Sequence, residues 1–281
     1  MPELPEVETT CKGISPYIIG NTITTVIVRQ AQLRWPVPAN LASTVAGLKI
    51  DSVTRRGKYC LLNTGSGTLI LHLGMSGNLR ITSETEKPLK HDHVDIIFQN
   101  KILLRFNDQR KFGAVLWAEG DVTTHSLLKD LGPEPLTADF NGEYLFFRAT
   151  QRKVPVKSFI MDGHVVVGVG NIYASESLFL AGLLPTRAAG SISLNDYQKL
   201  ASAIKTVLQR AIEQGGTTLR DFVNAEGRTG YFQLEAAVYG RAGEPCRVCN
   251  APIRMIRQGQ RSTFYCGNCQ RNQPTANADA V

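Results

Sequence analysis

Apolar residues first recur at helical spacing at Val7, Cys11, Ile14 and Ile18, and Gly20 ends the run. This pattern predicts an amphipathic helix over residues 4–19 with Cys11 on its core face. The period then changes. Short runs rich in β-branched and aliphatic residues follow at 23–29, 50–55, 59–64, 68–73, 79–82, 94–99, 102–106 and 114–118. Gly65-Ser66-Gly67 and Asn100-Lys101 punctuate them as turns. Many short strands with turn punctuation predict an antiparallel β-sandwich. The N-terminal part therefore reads as one helix plus a sandwich.

Both periods are lost over residues 119–139, where Gly132-Pro133-Glu134-Pro135 reads as an interdomain linker. Helical spacing returns after it. Gly168-Val169-Gly170 opens a helix at Asn171, and such a pair can present backbone N–H groups to a phosphate. It lacks the third glycine of a dinucleotide fingerprint. Ser193 predicts the cap of a long helix reaching about Gln214, with Leu200, Ile204, Leu208 and Ile212 in register. Residues 215–230, rich in Gly, Thr and charge, predict a mobile loop, either idle or a lid over a bound group. Residues 272–281 predict a disordered tail.

Composition narrows the class. The 281 residues suit about two domains, and 43% hydrophobic content supports real cores. No apolar run reaches the ~18 residues of a membrane helix, and no secretory signal is present, so a cytoplasmic protein with no membrane partner is expected. The net charge of +7 points to an anionic partner such as nucleic acid. In a reducing compartment, clustered cysteines read as metal ligands. Cys246 and Cys249, then sixteen residues, then Cys266 and Cys269, have the spacing of a four-cysteine zinc site. Four thiolates close the tetrahedral shell, so one structural zinc ion is expected, against redox use of the pairs. Between Arg241 and Arg271 six arginines face one acid, Glu244, which favours phosphate contact.

Five further stretches carry candidate chemistry. Pro2 and Glu3 fit a plain helix start, with proline and carboxylates in the first turn. Removal of Met1 would instead free the Pro2 secondary amine, which titrates near pH ~8 and can form an iminium with an aldehyde-like carbon. Glu3 could then move protons beside it. Arg55-Arg56-Gly57-Lys58 is a basic turn, either solvated or placing Lys58 beside that amine as a proton carrier or phosphate clamp. The loop from His72 to Gly77 presents Met75, as core filler or as a wedge that unstacks bases. The turn from Asp108 to Gly113 carries Arg110 and Phe112. Arginine offers donors only, which suits the two acceptors of an orphaned cytosine and not the donor of adenine. His91 and His93 flank Asp92, but no third metal ligand has suitable spacing, so a hydrogen-bonding or phosphate role for His91 is expected.

Taken together, Pro2 to Thr9, Arg56-Gly57-Lys58-Tyr59, His72 to Gly77, Arg110 to Gly113, residues 168–174 and the four cysteines resemble the bacterial formamidopyrimidine-DNA glycosylase family, from residue 2 to about 271. The resemblance implies an α+β multidomain protein: an N-terminal helix with an antiparallel β-sandwich (1–131), a helix–two-turn–helix DNA-binding domain with a lesion-capping loop (132–236), and a C-terminal four-cysteine zinc finger (237–271). It implies a monomer that binds damaged double-stranded DNA in the cleft between domains, without a small-molecule cofactor, at the bacterial nucleoid. It also implies excision of oxidised purines such as 8-oxoguanine and formamidopyrimidines, followed by strand cleavage. By matching position, Pro2 is the Schiff-base nucleophile, Glu3 the acid that opens the sugar, Lys58 a proton donor in β-elimination and Arg261 the arginine of δ-elimination. His91, Arg110, Arg152, Lys157 and Asn171 match DNA contacts, and Met75, Arg110 and Phe112 match the triplet that fills the gap left by the everted nucleotide. Gln109 and Lys111, and Gly163-His164, depart from the frequent family residues and bear on turn rigidity and one backbone contact. Two rivals remain: an endonuclease VIII-like glycosylase for oxidised pyrimidines, and a catalytically silent zinc DNA-binding protein. Leu4 and the Arg110/Phe112 pair argue against the first, and an intact Pro2-Glu3 with Lys58 against the second.

Overall fold

The computed structural model describes residues 2–215 and 236–271. The expected lid over residues 216–230 and the tail over 272–281 lie outside the described residues. The chain forms two compact units, one of Met1–Asp130 together with the segment that begins at Ala211, and one of Leu131–Arg210 together with the chain from Glu235 on, which contains the C-terminal cysteine finger.

In the first unit helix α1 (Leu4–Ile18) buries Leu4, Val7, Cys11, Ile14 and Ile18, the face that the apolar spacing predicts. Its N-cap is Glu3. The Glu3 carboxylate accepts from the Glu6 backbone while the Glu6 carboxylate accepts from the Glu3 backbone N–H at 2.8 Å, a reciprocal capping box. Eight strands follow: β1 (Ile23–Val28), β2 (Ser52–Arg56), β3 (Tyr59–Thr64), β4 (Gly67–His72), β5 (Asn78–Ser83), β6 (Asp92–Phe98), β7 (Ile102–Asn107) and β8 (Ala114–Glu119). They pair antiparallel in two four-stranded sheets, β1-β6-β7-β5 and β2-β3-β4-β8. One core joins α1 to both, with Ile14, Ile23, Cys60, Leu62, Leu69, Phe98, Phe106 and Val115 at its centre. The pattern did not predict the short helix α2 (Leu41–Val45), which is too brief to show a period.

One sheet also carries buried charge. Arg105 on β7 is 1% exposed and grips Asp95 through two bonds of 2.8 and 2.9 Å. Arg29 reaches the same carboxylate, and Arg80 donates to Asp92 at 2.8 Å. Such pairs persist only where each remaining lone pair finds a donor. Here Asn107 and the Leu89 backbone N–H complete Asp92.

The second unit holds α3 (Gly142–Ala149), α4 (Val156–Ile160), α5 (Asn171–Leu180) and the first part of α6 (Leu194–Glu213), followed by the finger strands β9 (Ile253–Gln258) and β10 (Arg261–Cys266). Ser193 caps α6 as expected, its hydroxyl accepting from the Asp196 backbone N–H at 3.1 Å. Leu200, Ile204 and Leu208 are fully buried. The finger is bonded into this unit. Gln270 donates to the Leu183 carbonyl at 2.9 Å, and the Arg271 N–H to the Gly182 carbonyl. No helix among the described residues is long and apolar enough to cross a membrane.

Candidate active site and nucleic-acid interface

The N-terminus is positioned by the packing of α1 on β2. Cys11 faces the Thr54 carbonyl at 3.7 Å, and Arg55 donates to the Glu8 carboxylate at 2.7 Å. Helix and strand therefore run antiparallel, so residue numbers fall along α1 as they rise along β2. From Cys11 back to Pro2 a helical rise of 1.5 Å per residue covers about 13 Å. From Thr54 to Arg56, the last residue of β2, an extended chain at about 3.3 Å per residue covers about 7 Å, and the turn begins there. The Gly57-Lys58 turn thus lies off the end of β2 that points toward the N-terminal end of α1. Gly57 permits that turn, with φ of +57° between Arg56 and its strand partner Tyr59. Pro2 and Glu3 are buried there, and Lys58 is half-buried.

His72 faces the same turn. Its ring lies 4.9 Å from Tyr59, and its Nδ1 accepts the Gly74 N–H at 3.1 Å. Burial, aided by the charges of Lys58 and Arg34, lowers its pKa to about 4. A neutral imidazole that accepts at Nδ1 carries its proton on Nε2, so His72 is a fixed N–H donor at neutral pH.

Met75, Arg110 and Phe112 stand on one platform. Met75 is 37% and Phe112 43% exposed, high for such side chains. The Arg110 guanidinium lies 4.8 Å from the centre of the Phe112 ring. Gly74 has φ of +63°, and a Cβ there would lie 2.5 Å from the backbone of Phe112 and Gly113, so the two loops touch main chain to main chain. His91 adjoins this platform through its carbonyl, which accepts the Asp108 N–H at 3.0 Å. His93 is buried, its Nε2 2.8 Å from the Asp108 carbonyl oxygen. Neither histidine joins a metal-binding group among the described residues.

In the second unit Lys157, 2% exposed, directs its ammonium at Asn171 Oδ1 (2.6 Å), Thr263 Oγ1 (2.8 Å) and the Ser262 carbonyl (3.2 Å). These three acceptors match the three donors of an ammonium. They tie α4, the first residue of α5 and the start of β10 together. Asn171 Nδ2 in turn donates to Ser262 O and to the hydroxyl of Tyr239, whose ring packs edge-on against Phe264. Arg261 precedes Ser262 and is exposed. It follows the tight Gly259-Gln260 turn, whose glycine has φ of +57°. Lys157 and Arg261 share the lining of a cleft of about 290 Å³ with Asp162, Gln260 and Thr263. Arg152 sits apart, on the exposed link between α3 and α4.

The four finger thiols lie within 4.8 Å of one another, with Cys246–Cys269 at 3.8 Å and Cys249–Cys266 at 3.4 Å. A tetrahedral zinc with Zn–S of about 2.3 Å requires sulfurs about 3.8 Å apart, so the set fits. Burial raises the Cys246 thiol, but N–H groups of Val248 and Cys249 and the neighbouring thiols bring it down to about 7. That favours the thiolate at Cys246, whereas burial and the neighbouring thiols push Cys266 and Cys269 up, so without a metal the cluster holds protons that zinc would displace. Zinc here closes its shell with protein ligands and is structural.

The sequence pattern singled out neither Tyr239 nor Glu176. Glu176, on α5, accepts from three successive backbone N–H groups, those of Ala237, Val238 and Tyr239, at 2.8, 3.0 and 2.8 Å. It fixes the approach to the finger and so the place of Tyr239. An isolated carboxylate in a helical stretch gives no signal of such a role.

Comparison with known proteins agrees with these geometries. Residues 1–115 match the formamidopyrimidine-DNA glycosylase N-terminal domain, 131–223 its H2TH domain, and 243–272 the zinc finger found in FPG and IleRS. The chain is 57% identical to the formamidopyrimidine-DNA glycosylase of Methylococcus capsulatus and 56% to that of Marinobacter nauticus, in each case over 96% of this chain and all of the relative. The crystal structure of MutM (FPG) from Thermus thermophilus superposes with a TM-score of 0.87 at 35% identity, over 97% of this chain and all of that one. A mutant of the Lactococcus lactis FPG, in complex with DNA containing Fapy-dG, gives 0.90 at 32%, over 96% of this chain and all of that one. The chain belongs to the formamidopyrimidine-DNA glycosylase family.

Proposed function

We propose that this chain excises oxidised purines, 8-oxoguanine and formamidopyrimidines, from double-stranded DNA and then cleaves the strand, working as a monomer at the bacterial nucleoid. The observation that carries the reading is the register of α1 against β2, which points the turn bearing Lys58 toward the helix end where Pro2 and Glu3 are buried. Binding alone requires none of these three residues at that place.

Once Met1 is removed, the neutral Pro2 nitrogen attacks the sugar C1′ as the bond to the damaged base breaks. The base takes the bonding electrons and a proton. Glu3 protonates the sugar ring oxygen as the ring opens, leaving an iminium between Pro2 and C1′. The iminium acidifies the C2′ hydrogen. Loss of that proton expels the 3′ phosphate, with Lys58 as proton carrier. A second elimination expels the 5′ phosphate, assisted by Arg261, and water then releases Pro2. Lys157 and Asn171 hold the edge of β10 on which Arg261 stands, and His91 and Arg152 add positive or donor contacts to phosphates. Met75, Arg110 and Phe112 fill the space left by the everted nucleotide, and Arg110 donates to the orphaned cytosine. Zinc, when bound, holds the arginine-bearing hairpin and takes no part in bond making.

Steady-state excision from duplexes carrying 8-oxoguanine or an oxidised pyrimidine, each opposite its normal partner, tests the substrate class. Preference for the purine is expected. Preference for the pyrimidine would assign the endonuclease VIII-like activity instead.

A further inference from the structure

Asp108 is completely buried, yet it lies at the base of the most exposed turn of the first unit's platform. Its Oδ1 accepts from the Ser76 hydroxyl at 2.8 Å and from the Arg110 backbone N–H at 3.2 Å. Its Oδ2 accepts from the Gly113 N–H at 2.8 Å. Its carbonyl faces buried His93 Nε2 at 2.8 Å. The Arg110 bond alone is an ordinary Asx turn, which any surface aspartate can make. The other bonds differ. Gly113 lies at the far end of the turn, and Ser76 is 32 residues away, beside Met75. One buried carboxylate therefore clamps both loops that bear the exposed triplet. The Ser76 hydroxyl also accepts the Arg110 N–H at 3.2 Å, closing a ring of bonds among Ser76, Asp108 and Arg110. The contact has no room for adjustment, since a Cβ on Gly113 would meet the His72 carbonyl at 2.5 Å.

We propose that Asp108 is a positioning residue for reading the base opposite the lesion: its carboxylate locks Met75, Arg110 and Phe112 into one preformed piece. The proposal rests on Arg110 contacting the orphaned cytosine. An arginine discriminates bases only if its fork meets them at fixed geometry, and a side chain ordered before binding pays less entropy on binding. The clamp requires acceptors at both carboxylate oxygens. An amide at Asp108 must turn an NH2 either toward the Gly113 N–H or toward the Arg110 N–H, and one bond becomes a donor–donor clash. The freed turn still carries a cation and an aromatic ring, so the loss falls on selectivity and not on attraction to DNA.

The test is single-turnover excision of 8-oxoguanine opposite cytosine and opposite adenine by the wild type, Asp108→Asn and Ser76→Ala, with melting temperatures measured alongside. Wild type is expected to favour cytosine. Asp108→Asn is expected to lower the cytosine-to-adenine ratio by about tenfold, the scale of one well-placed base contact. Ser76→Ala, which removes the hydroxyl that bonds both the Asp108 carboxylate and the Arg110 N–H and tests the clamp even if the aspartate variant fails to fold, is expected to lower the ratio about threefold. An unchanged ratio in the folded variants, or equal loss of both rates, overturns the clamp and leaves a structural turn. Absence of cytosine preference in the wild type instead overturns the assignment of Arg110.

Discussion

Arg55 donates from Nε to the Glu8 carboxylate at 2.7 Å, and this bond sets where along α1 the strand β2 ends. Arg55 also reaches the Gly57 carbonyl at 3.2 Å, so one guanidinium holds both the helix and the turn before Lys58. Its side chain is only 11% exposed, which limits solvent screening. Replacement by methionine keeps the packing and removes both bonds. The expected result is a loss of about 1–2 kcal/mol in stability. Excision is expected to fall further, by roughly 10- to 100-fold, because small misplacement of reacting groups costs more than stability shows. Urea denaturation and single-turnover kinetics on the same variant check this. Equal wild-type kinetics would detach the Arg55–Glu8 bond from the site.

Acid destabilises the first unit in two stages. Folding lowers the His72 pKa to about 4, from an ordinary 6.5, so the unfolded chain takes up the proton first. Stability is therefore lost as pH falls from about 6.5 to about 4. Asp95 follows. Burial alone would raise its pKa, but Arg105 and Arg29 hold it below the usual carboxylate value. Its contribution is present above pH ~4 and is lost as pH falls through the lower folded value. Denaturation midpoints at a series of pH values are expected to show both stages, with His72→Gln removing the upper one. A flat profile between pH 6.5 and 4 in the wild type would contradict the neutral His72.

Zinc removal is expected to act on the finger and spare the sandwich. The finger core consists of Val238, Cys246, Ile253 and Cys266, with a few partly buried neighbours, and a lone two-stranded hairpin is marginal in water. A chelator should abolish DNA binding in an electrophoretic or anisotropy assay while most of the strand signal in circular dichroism remains. Undiminished binding by zinc-free protein would overturn the structural role.

Legibility in the sequence followed distance along the chain. Local period and turn chemistry predicted α1, the eight sandwich strands and the Ser193 cap, because each rests on neighbours within a few residues. The cysteine spacing predicted the sulfur cluster although its two pairs are sixteen residues apart, because two C-x2-C pairs are themselves a metal-site signal. Long-range polar contacts left no such trace. Arg105 and Asp95 read as ordinary strand positions, and only the pairing of β6 with β7 sets them opposite each other. Asp108 read as a turn residue, and its link to Ser76 depends on how two loops meet. Glu176 holds N–H groups some 60 residues further on. Lys157 matched a DNA contact by position alone, and its ammonium bonds three internal acceptors that no local pattern shows.

Covalent trapping tests the central claim, that the Pro2 nitrogen is the nucleophile. Protein whose N-terminus mass spectrometry shows to be Pro2 is incubated with duplex DNA containing 8-oxoguanine opposite cytosine, and borohydride is added. Reduction of the iminium should yield a stable protein–DNA adduct that maps to the N-terminal peptide. Pro2→Gly should reduce the yield sharply, and protein retaining Met1 should give none. An adduct mapping to Lys58, or an undiminished yield from protein with Met1 in place, would contradict the account.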